Sequence, residues 1–422
     1  SLSSEEIIRG AVALNLSSPS DIIEGLKVDS STYVNDCLTK RNNKVSEQLT
    51  ICVAGKNSIA IRSLKYIFDN FKQHKIVFVA NPTDDGFDSW QPSFHKFACS
   101  LKIENVKIED LFELDNLVFI SLEFSELIDT AKFKSKKLYN IHFSMLPKYK
   151  GMYTSALPIL NGEGKSGVTL HKIENGIDTG DIIDQIEFEI SFLDTAKDLY
   201  LKYLEFSFGL LVANFEKLLG GSFAVLRQKS LGSSYFSKKS INYSDLKINF
   251  NKTAFEVYNQ FRAFTFRDYQ MPKFEEWEIY KTEILEQKSL LKPKSLIVEN
   301  DSFLVISTID FDLKLYKDFY SRFWSYCENG NFDLLKEVSS KVENLDLKNK
   351  NGWTGLIIAT YNGHLNIVKF LLNQKADILV TNYKGTTLLM YALTNYERTR
   401  DSAIFRYLIE SGADIHGIDE YG

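Results

Sequence analysis

The sequence is poor in cysteine, and the few cysteines present lie far apart. Its 422 residues contain Cys37, Cys52, Cys99 and Cys327, and no two of them are close in sequence. Isolated thiols in a chain of this length are typical of a reducing compartment, and no cysteine–histidine cluster has the spacing of a zinc site. We therefore expect a cytoplasmic protein that binds no metal.

Long apolar runs are also missing. A membrane-spanning helix needs about 18 apolar residues, and no stretch of the sequence reaches that length. Near the start, Arg9 and Asn15 interrupt the apolar residues that a signal peptide would need. These two absences predict a protein that neither crosses a membrane nor enters the secretory route.

An excess of positive charge is the third absence. The formal net charge is −5, with 44% hydrophobic and 25% charged residues, which is typical of a soluble globular protein. Residues 191–320 contain 18 Lys and Arg against 17 Asp and Glu, a net charge of +1. This balance provides no basic surface for a long polyanion such as tRNA, so we expect no nucleic-acid partner.

Buried strands that alternate with helices dominate the first half of the chain. Continuous apolar runs predict strands at 49–54, 75–80 and 117–122 and a further strand ending at His142. The pattern predicts an α/β fold with a mostly parallel, Rossmann-like sheet. Gly55 follows the first strand, but no further glycines complete a Gly-x-Gly-x-x-Gly motif, so we expect no dinucleotide site there.

Four units are predicted along the chain. Residues 1–48 are expected to form a helical extension, with helices at 4–14 and 19–26. The α/β domain takes residues 49–220 and ends in a long helix that begins at 196. A smaller β-rich region, dense in aromatic side chains and of mixed strand character, takes residues 221–318. The last unit, residues 319–422, contains internal repeats.

These repeats predict an all-α array. Gly352-Trp353-Thr354 recurs as Gly385-Thr386-Thr387 after 33 residues, whereas Ala376-Asp377-Ile378 recurs as Ala413-Asp414-Ile415 after 37, which places a short insertion near 395–401. A period of 33 with Gly-His-Leu and Gly-Ala-Asp elements resembles ankyrin repeats. The usual Thr-Pro-Leu-His is reduced to Thr354-Gly355-Leu356-Ile357, so we expect a short, irregular array that leans on its neighbour.

Segment 139–183 carries a set of polar groups at a predicted strand end and at turns. It contains Asn140-Ile141-His142, Ser144-Met145-Leu146-Pro147, Gly151 and Asp178-Thr179-Gly180-Asp181. Because alternate strand residues share a face, Asn140 and His142 point to the same side. An amide, an imidazole and a carboxylate are what proton abstraction beside a developing oxyanion needs. Singly, each has an ordinary structural explanation, but the ordered combination indicates an active site.

This ordered set resembles the folate-dependent formyltransferases, a family that includes methionyl-tRNA formyltransferase and the nucleotide-sugar N-formyltransferases. The 36 residues between His142 and Asp178 also fit that family. The resemblance implies that Asn140 donates to the oxyanion, that His142 is the general base, and that Asp178 binds the imidazolium and holds one ring tautomer. We expect Asp181 to shape the loop, and His171 to lie in the core or behind the site.

The resemblance also implies 10-formyltetrahydrofolate as the formyl donor. The residues expected to hold its pterin are Leu122, Glu123, Phe124, Leu146 and Pro147. Two positions depart from the family pattern, with Met145 where Leu is usual and Lys150 where Arg is usual. Methionine packs adaptably, whereas Lys150 lacks the two-pronged phosphate grip of arginine.

A dTDP-linked amino-dideoxysugar is the acceptor that the resemblance implies, for bacterial surface polysaccharide such as O-antigen. The first choice is dTDP-3-amino-3,6-dideoxy-D-glucose. The residues expected near this substrate are Lys150, Met152, Tyr153, Tyr258 and Arg262. The alternatives are the 4-amino isomer, methionyl-tRNA as the acceptor, hydrolysis to formate, and a scaffold without activity; the intact polar set counts against the scaffold.

The partner expected for the predicted ankyrin array is inferred from the partners that such arrays usually bind. They mostly bind proteins through a concave face, so we expect a protein partner or simple packing. The alternative is a second, regulatory site for a nucleotide-linked ligand, formed by Trp353, Tyr361, Tyr391 and Tyr396. Resemblance to the sugar branch also implies a homodimer, with the β-rich region as its interface.

Overall fold

The computed structural model describes residues 48–419. The helices predicted at 4–14 and 19–26 lie outside the described residues. Two main β-sheets and a C-terminal helical array make up the described part of the chain. Within this range, no helix combines the length and the apolar character that crossing a membrane requires.

The larger sheet contains seven strands among the described residues. They are β1 (Thr50–Gly55), β2 (Lys75–Ala80), β3 (Glu104–Asn105), β4 (Leu117–Leu122), β5 (Leu138–His142), β7 (Lys165–Lys172) and β8 (Ile182–Glu189), while β6 (Lys150–Gly151) lies outside it. Their spatial order is β3-β2-β1-β4-β5-β7-β8. The first five pair in parallel, whereas β7 is antiparallel to both of its neighbours, β5 and β8. The associated helices are α1 (Asn57–Asn70), α2 (Phe94–Ser100), α3 (Leu157–Leu160) and α4 (Ala196–Gly220).

Successive residues of the central strands enter two different apolar cores. Ile51 and Val53 pack with α1 and α4 on one face of the sheet, whereas Cys52 and Ala54 pack on the other face. Because both faces are covered, every residue of β1 and β4 is buried. Burial on both faces explains why these strands appear in the sequence as unbroken apolar runs.

The smaller main sheet is antiparallel. Its strands are β10 (Lys273–Phe274), β11 (Trp277–Lys288), β12 (Leu296–Glu299), β13 (Phe303–Ile306) and β14 (Phe311–Lys317), in the order β10-β11-β14-β13-β12. A further strand, β9 (Tyr235–Phe236), pairs with β6 beside the larger sheet.

A helix, α5 (Ala254–Phe264), interrupts the segment for which the sequence predicts mixed strands. Thr253 caps it in a capping box with Glu256, and Val257 and Phe261 pack against the antiparallel sheet. The strand-like aromatic content of this segment reflects the buried face of the helix, so the mixed-strand prediction is wrong here. Tyr258 and Arg262 consequently lie on a helix.

Six helices form the C-terminal array within the described residues. They are α6 (Tyr320–Asn329), α7 (Phe332–Ser339), α8 (Gly355–Asn362), α9 (Leu365–Asn373), α10 (Leu388–Thr399) and α11 (Ala403–Glu410). Thr354 and Thr387 cap α8 and α10 with their hydroxyls. The helix α10 has 12 residues where α8 has 8, so the predicted insertion is an extra helical turn. The predicted fold class, with a mostly parallel sheet, a β-rich region and a helical array, is confirmed.

Candidate active site

The carboxyl ends of β1, β4 and β5 meet at one edge of the larger sheet. The strand β1 lies between β2 and β4, so the strand order reverses there, and open parallel sheets form ligand crevices at such points. A Cβ atom on Gly55 would lie 2.2 Å from the carbonyl oxygen of Leu122, which explains why a glycine ends β1. His142 ends β5 at the same edge.

Asn140, His142 and Asp178 come together at this edge. Nδ1 of His142 lies 3.4 Å from Oδ2 of Asp178, and only 9% and 12% of these side chains are exposed. The backbone N–H of Gly151 donates to the same carboxylate oxygen at 2.8 Å. Asn140 lies two residues before His142 on β5, opposite His171 of β7. The structure thus brings together the three groups to which the sequence assigns the chemistry.

A backbone carbonyl fixes the His142 ring. Nε2 of His142 lies 2.8 Å from the carbonyl oxygen of Tyr149, so that nitrogen carries the proton and donates it. Nδ1 is then the basic nitrogen, and it faces Asp178. The carbonyl of Tyr149 therefore sets the tautomer, a role that the sequence analysis assigns to Asp178. The carboxylate is left to receive the second N–H of the imidazolium.

His171 lies directly behind Asn140 and fixes its amide. Nδ1 of His171 donates to the carbonyl of Lys172 at 2.7 Å, so Nε2 accepts from Nδ2 of Asn140 at 3.0 Å. Burial lowers the pKa of His171 to about 4, an effect that Asp178 opposes and to which His142 and Lys150 add. His171 is therefore neutral near pH 7 and acts as a fixed acceptor.

The loop that carries Asp178 has an unusual backbone. Asp178 has a φ of 54°, in the left-handed region that a residue with a side chain seldom adopts. The side-chain amide of Gln228 donates to the carbonyls of Asp178 and Gly180 at 2.8 and 2.7 Å. No local signal in the sequence indicates Gln228, because its contact is with a segment about 50 residues away.

The residues predicted to hold the donor lie at the end of β4 and shortly after β5. Leu146 is buried, with Phe124 and Pro147 half-buried. The Glu123 carboxylate accepts from Tyr200 and Asn57, and desolvation by burial raises its pKa to about 6 in spite of these hydrogen bonds. The role of these residues in holding the donor stays a prediction.

The residues predicted to bind the acceptor fall into two groups. Lys150, Met152 and Tyr153 follow the catalytic strand, and Met152 is exposed. Tyr258 and Arg262 instead hold the loop at 191–194, because both donate to the carbonyl of Phe192. The positive charge of Lys150 adds to the lowering of the pKa of His171, so Lys150 lies near the Asn140–His142–Asp178 cluster.

Three of the four aromatic residues predicted to form a second site lie together in the array. The ring centroid of Trp353 lies 5.3 Å from those of Tyr361 and Tyr391, which are 6.2 Å apart. The guanidinium carbon of Arg398 lies 4.9 Å from the Tyr361 ring centroid. Tyr396 is half-buried outside this group, and we call Trp353, Tyr361 and Tyr391 the ring cluster.

No candidate metal site is found among residues 48–419. This range contains no group of three or more His, Cys, Asp or Glu side chains with the geometry to hold a metal ion. The charged groups of the candidate active site are instead paired with one another and with backbone groups.

Family models match two parts of the chain. The model described as formyl transferase matches residues 117–214, and a model of three ankyrin repeats matches residues 323–419. The chain is similar to methionyl-tRNA formyltransferase from Clostridium beijerinckii, with 31% identity over 204 residues that cover 47% of this chain and 64% of that protein. The chain thus spans less than two thirds of the length of this curated relative.

Two solved structures are similar over nearly their whole length. One is WlaRD, a sugar 3N-formyl transferase in the presence of dTDP and 5-N-formyl-THF, with 44% identity, a TM-score of 0.60, and coverage of 64% of this chain and 98% of that one. The other is an N-formyltransferase from Helicobacter canadensis in complex with folinic acid and dTDP-3-aminofucose. It has 42% identity and a TM-score of 0.60, and the match covers 64% of this chain and 100% of that one.

Proposed function

Since this chain belongs to the formyltransferase family, in the branch of the sugar N-formyltransferases, we propose that it formylates the amine of dTDP-3-amino-3,6-dideoxy-D-glucose. The donor is 10-formyltetrahydrofolate, and the product serves bacterial surface polysaccharide such as O-antigen. The observation that carries the proposal is the convergence of Asn140, His142 and Asp178 at the sheet edge, in a chain 44% identical to a sugar 3N-formyl transferase.

The choice of acceptor has two supports. The two similar structures are described as a sugar 3N-formyl transferase and as a complex with dTDP-3-aminofucose, which favours an amine at position 3 of the sugar. Residues 191–320 carry a net charge of +1, which disfavours tRNA because tRNA binding needs a strongly basic surface. A cytoplasmic location agrees with the free, buried thiols of Cys52 and Cys327.

Two side chains, Asn140 and His142, stabilise the charges that develop during transfer. When bound, the folate supplies an activated formyl group. Asn140 uses one Nδ2 hydrogen on His171 and keeps the other for the oxyanion, a contribution of roughly 3–4 kcal/mol where such donors have been removed. A new bond joins the acceptor nitrogen to the formyl carbon, the bond from that carbon to the donor nitrogen breaks, and the donor nitrogen gains the proton that His142 takes from the acceptor nitrogen.

The proton that the acceptor nitrogen loses goes to Nδ1 of His142. The imidazolium so formed donates from Nε2 to the carbonyl of Tyr149 and from Nδ1 to Asp178. Only in the charged state do both ring nitrogens donate to an acceptor. The surroundings of His142 thus favour the state that proton abstraction creates.

Incubation with 10-formyltetrahydrofolate and a panel of dTDP-amino-dideoxysugars tests this function. We expect the mass of one 3-amino sugar nucleotide to increase by a formyl group. His142→Ala removes the base and is expected to abolish the gain, whereas His416→Ala, at an exposed histidine of the last repeat, is the matched control and is expected to keep it. A wild-type protein that formylates no member of the panel would refute the proposal.

The ring cluster supports a second proposed role, as a site for a nucleotide-linked ligand in the array. The half-buried rings of Trp353 and Tyr361, which rest on the buried Tyr391, lie beside the guanidinium of Arg398. Aromatic faces and a positive charge suit a base and its phosphates. Calorimetric titration with dTDP is expected to reveal two sites per chain in the wild type and one in Trp353→Ala. The control Trp324→Ala, in α6, is expected to keep both sites, and an unchanged stoichiometry in Trp353→Ala would contradict the role.

A homodimer through the β-rich region is also proposed. The strand β12 forms one edge of the antiparallel sheet, and its apolar residues Leu296, Ile297 and Val298 are 40–47% exposed. An exposed apolar edge strand favours association, because its unpaired backbone groups can pair with a second chain. This feature, together with the predicted interface, supports a dimer of this chain.

A further inference from the structure

The position of the Asp178 carboxylate depends on a short loop whose backbone is strained. Asp178 has a left-handed φ of 54°. Two residues later, a Cβ atom on Gly180 would lie 1.8 Å from the carbonyl oxygen of Lys172, so this part of the loop lies directly against β7. The Asp178 side chain stays in place only if the carbonyls of this loop are held in a fixed direction.

Gln228 holds these carbonyls. Its Nε2 donates both hydrogens to the loop, one to Asp178 at 2.8 Å and one to Gly180 at 2.7 Å. Its Oε1 is buried, and among the described residues it has no hydrogen-bond partner. Exchanging the amide nitrogen and oxygen would place Oε1 against two carbonyl oxygens, so the amide has one favourable orientation.

Gln228 is itself anchored. Two residues before it, Leu226 exchanges two backbone hydrogen bonds with Ile182, at 2.8 and 2.9 Å. Ile182 is the first residue of β8, directly after the loop. The segment from Leu226 to Gln228 therefore spans the loop and is attached to the sheet beyond it.

We infer that Gln228 is a positioning residue, which acts on catalysis through Asp178 and does not touch the reacting atoms. The carboxylate receives the Gly151 N–H at 2.8 Å and faces Nδ1 of His142 at 3.4 Å. A displacement of about 1 Å would disrupt both contacts, and misplacements of that size can lower rates about 100-fold. This inference rests on the proposed formyl transfer.

Two kinetic variants test the role of Gln228. Gln228→Met keeps the length of the side chain but removes both donors, and we expect kcat to fall about 100-fold with KM for the dTDP-amino sugar near its wild-type value. Gln260→Met is the matched control, because the Gln260 amide also donates to two carbonyls, those of Asn249 and Glu256, in a helix outside the site. We expect it to leave kcat near wild type.

Gln228→Glu separates positioning from simple damage to the fold. An ionised carboxylate would face two carbonyl oxygens and repel them, whereas the protonated acid can donate to one of them. We therefore expect the activity of this variant, divided by that of the wild type at the same pH, to rise as the pH falls. A ratio that does not change with pH, together with an unchanged kcat in Gln228→Met, would overturn the inference.

A second measurement keeps the inference testable if the wild type formylates no sugar, an outcome that would count against the proposed function alone. The resonances of the His142 ring are followed by nuclear magnetic resonance at one pH without any substrate. Gln228→Met is expected to change the chemical shift of Nδ1, because Asp178 lies beside that nitrogen, whereas Gln260→Met is expected to leave it unchanged. Identical chemical shifts in all three proteins would overturn the positioning role.

Discussion

At the scale of single residues, two backbone carbonyls hold the two histidines of the site in different tautomers. The carbonyl of Tyr149 fixes the proton of His142 on Nε2, and the carbonyl of Lys172 fixes that of His171 on Nδ1. His142 faces a carboxylate that stabilises its charged form, whereas burial keeps His171 neutral. One ring can therefore accept a proton during the reaction, and the other serves as a permanent acceptor for Asn140.

The lowered pKa of His171 predicts a pH dependence of stability. In the unfolded chain its pKa is about 6.5, whereas in the fold burial lowers the pKa to about 4. Between these values the unfolded state binds more protons, so the free energy of unfolding falls as the pH decreases through this window. Urea unfolding of His171→Gln, which cannot take up a proton there, is expected to depend less on pH between 4 and 6.5 than that of the wild type.

The control for this prediction is His416→Gln. His416 is exposed in the last repeat, so its replacement is expected to leave the pH dependence of the wild type unchanged. Equal slopes for His171→Gln and the wild type between pH 4 and 6.5 would contradict the account of His171 as a buried neutral ring.

Sequence alone could identify Asn140, His142 and Asp178 as candidates, because strand alternation and the turn pattern are local features. It could not identify the contributions of Tyr149 and Gln228. The first acts through a backbone carbonyl, for which no residue type is required, and the second through a contact between segments about 50 residues apart. The position of His171 behind Asn140 likewise depends on the antiparallel register of β5 and β7.

At the scale of helices and strands, continuous apolar runs predict strand bounds well. The strands predicted at 75–80 and 117–122 have the same bounds in the structure. The second is buried along its whole length, whereas the first is buried only over its central residues. The helix α5 was missed, because its buried face holds Tyr258, Phe261 and Phe264, which are also typical of strands. Its capping box, Thr253 with Glu256, was the local signal available.

The edge strand β12 gives a prediction about assembly. Replacing Ile297 by lysine places a charge on this edge, which is expected to weaken pairing with a second chain. Light scattering after size exclusion is expected to show a dimer for the wild type and a monomer for Ile297→Lys. The matched control is Ile415→Lys, at a residue that is 61% exposed in the last repeat and is expected to stay dimeric. A monomeric wild type would contradict the proposed interface.

At the scale of the whole molecule, the array contacts the rest of the chain through several charged side chains, among them Lys341, whose Nζ lies 3.6 Å from Oδ2 of Asp301. The guanidinium of Arg322 in α6 lies 3.5 Å from the ring centroid of Trp277 in β11. The ammonium of Lys384, from the turn before α10, lies 3.9 Å from the ring centroid of Phe87. The prediction that the array leans on its neighbour agrees with these contacts, although the Thr caps of α8 and α10 make its helices more regular than expected.

Formyl transfer to a sugar amine by the Asn140–His142–Asp178 cluster can be tested by a competition between acceptors. Wild-type protein receives labelled 10-formyltetrahydrofolate with equal concentrations of dTDP-3-amino-3,6-dideoxy-D-glucose and initiator methionyl-tRNA. We expect the label to enter the nucleotide sugar, and none to do so with His142→Ala. Label in the tRNA, or only in free formate, would refute transfer to a sugar.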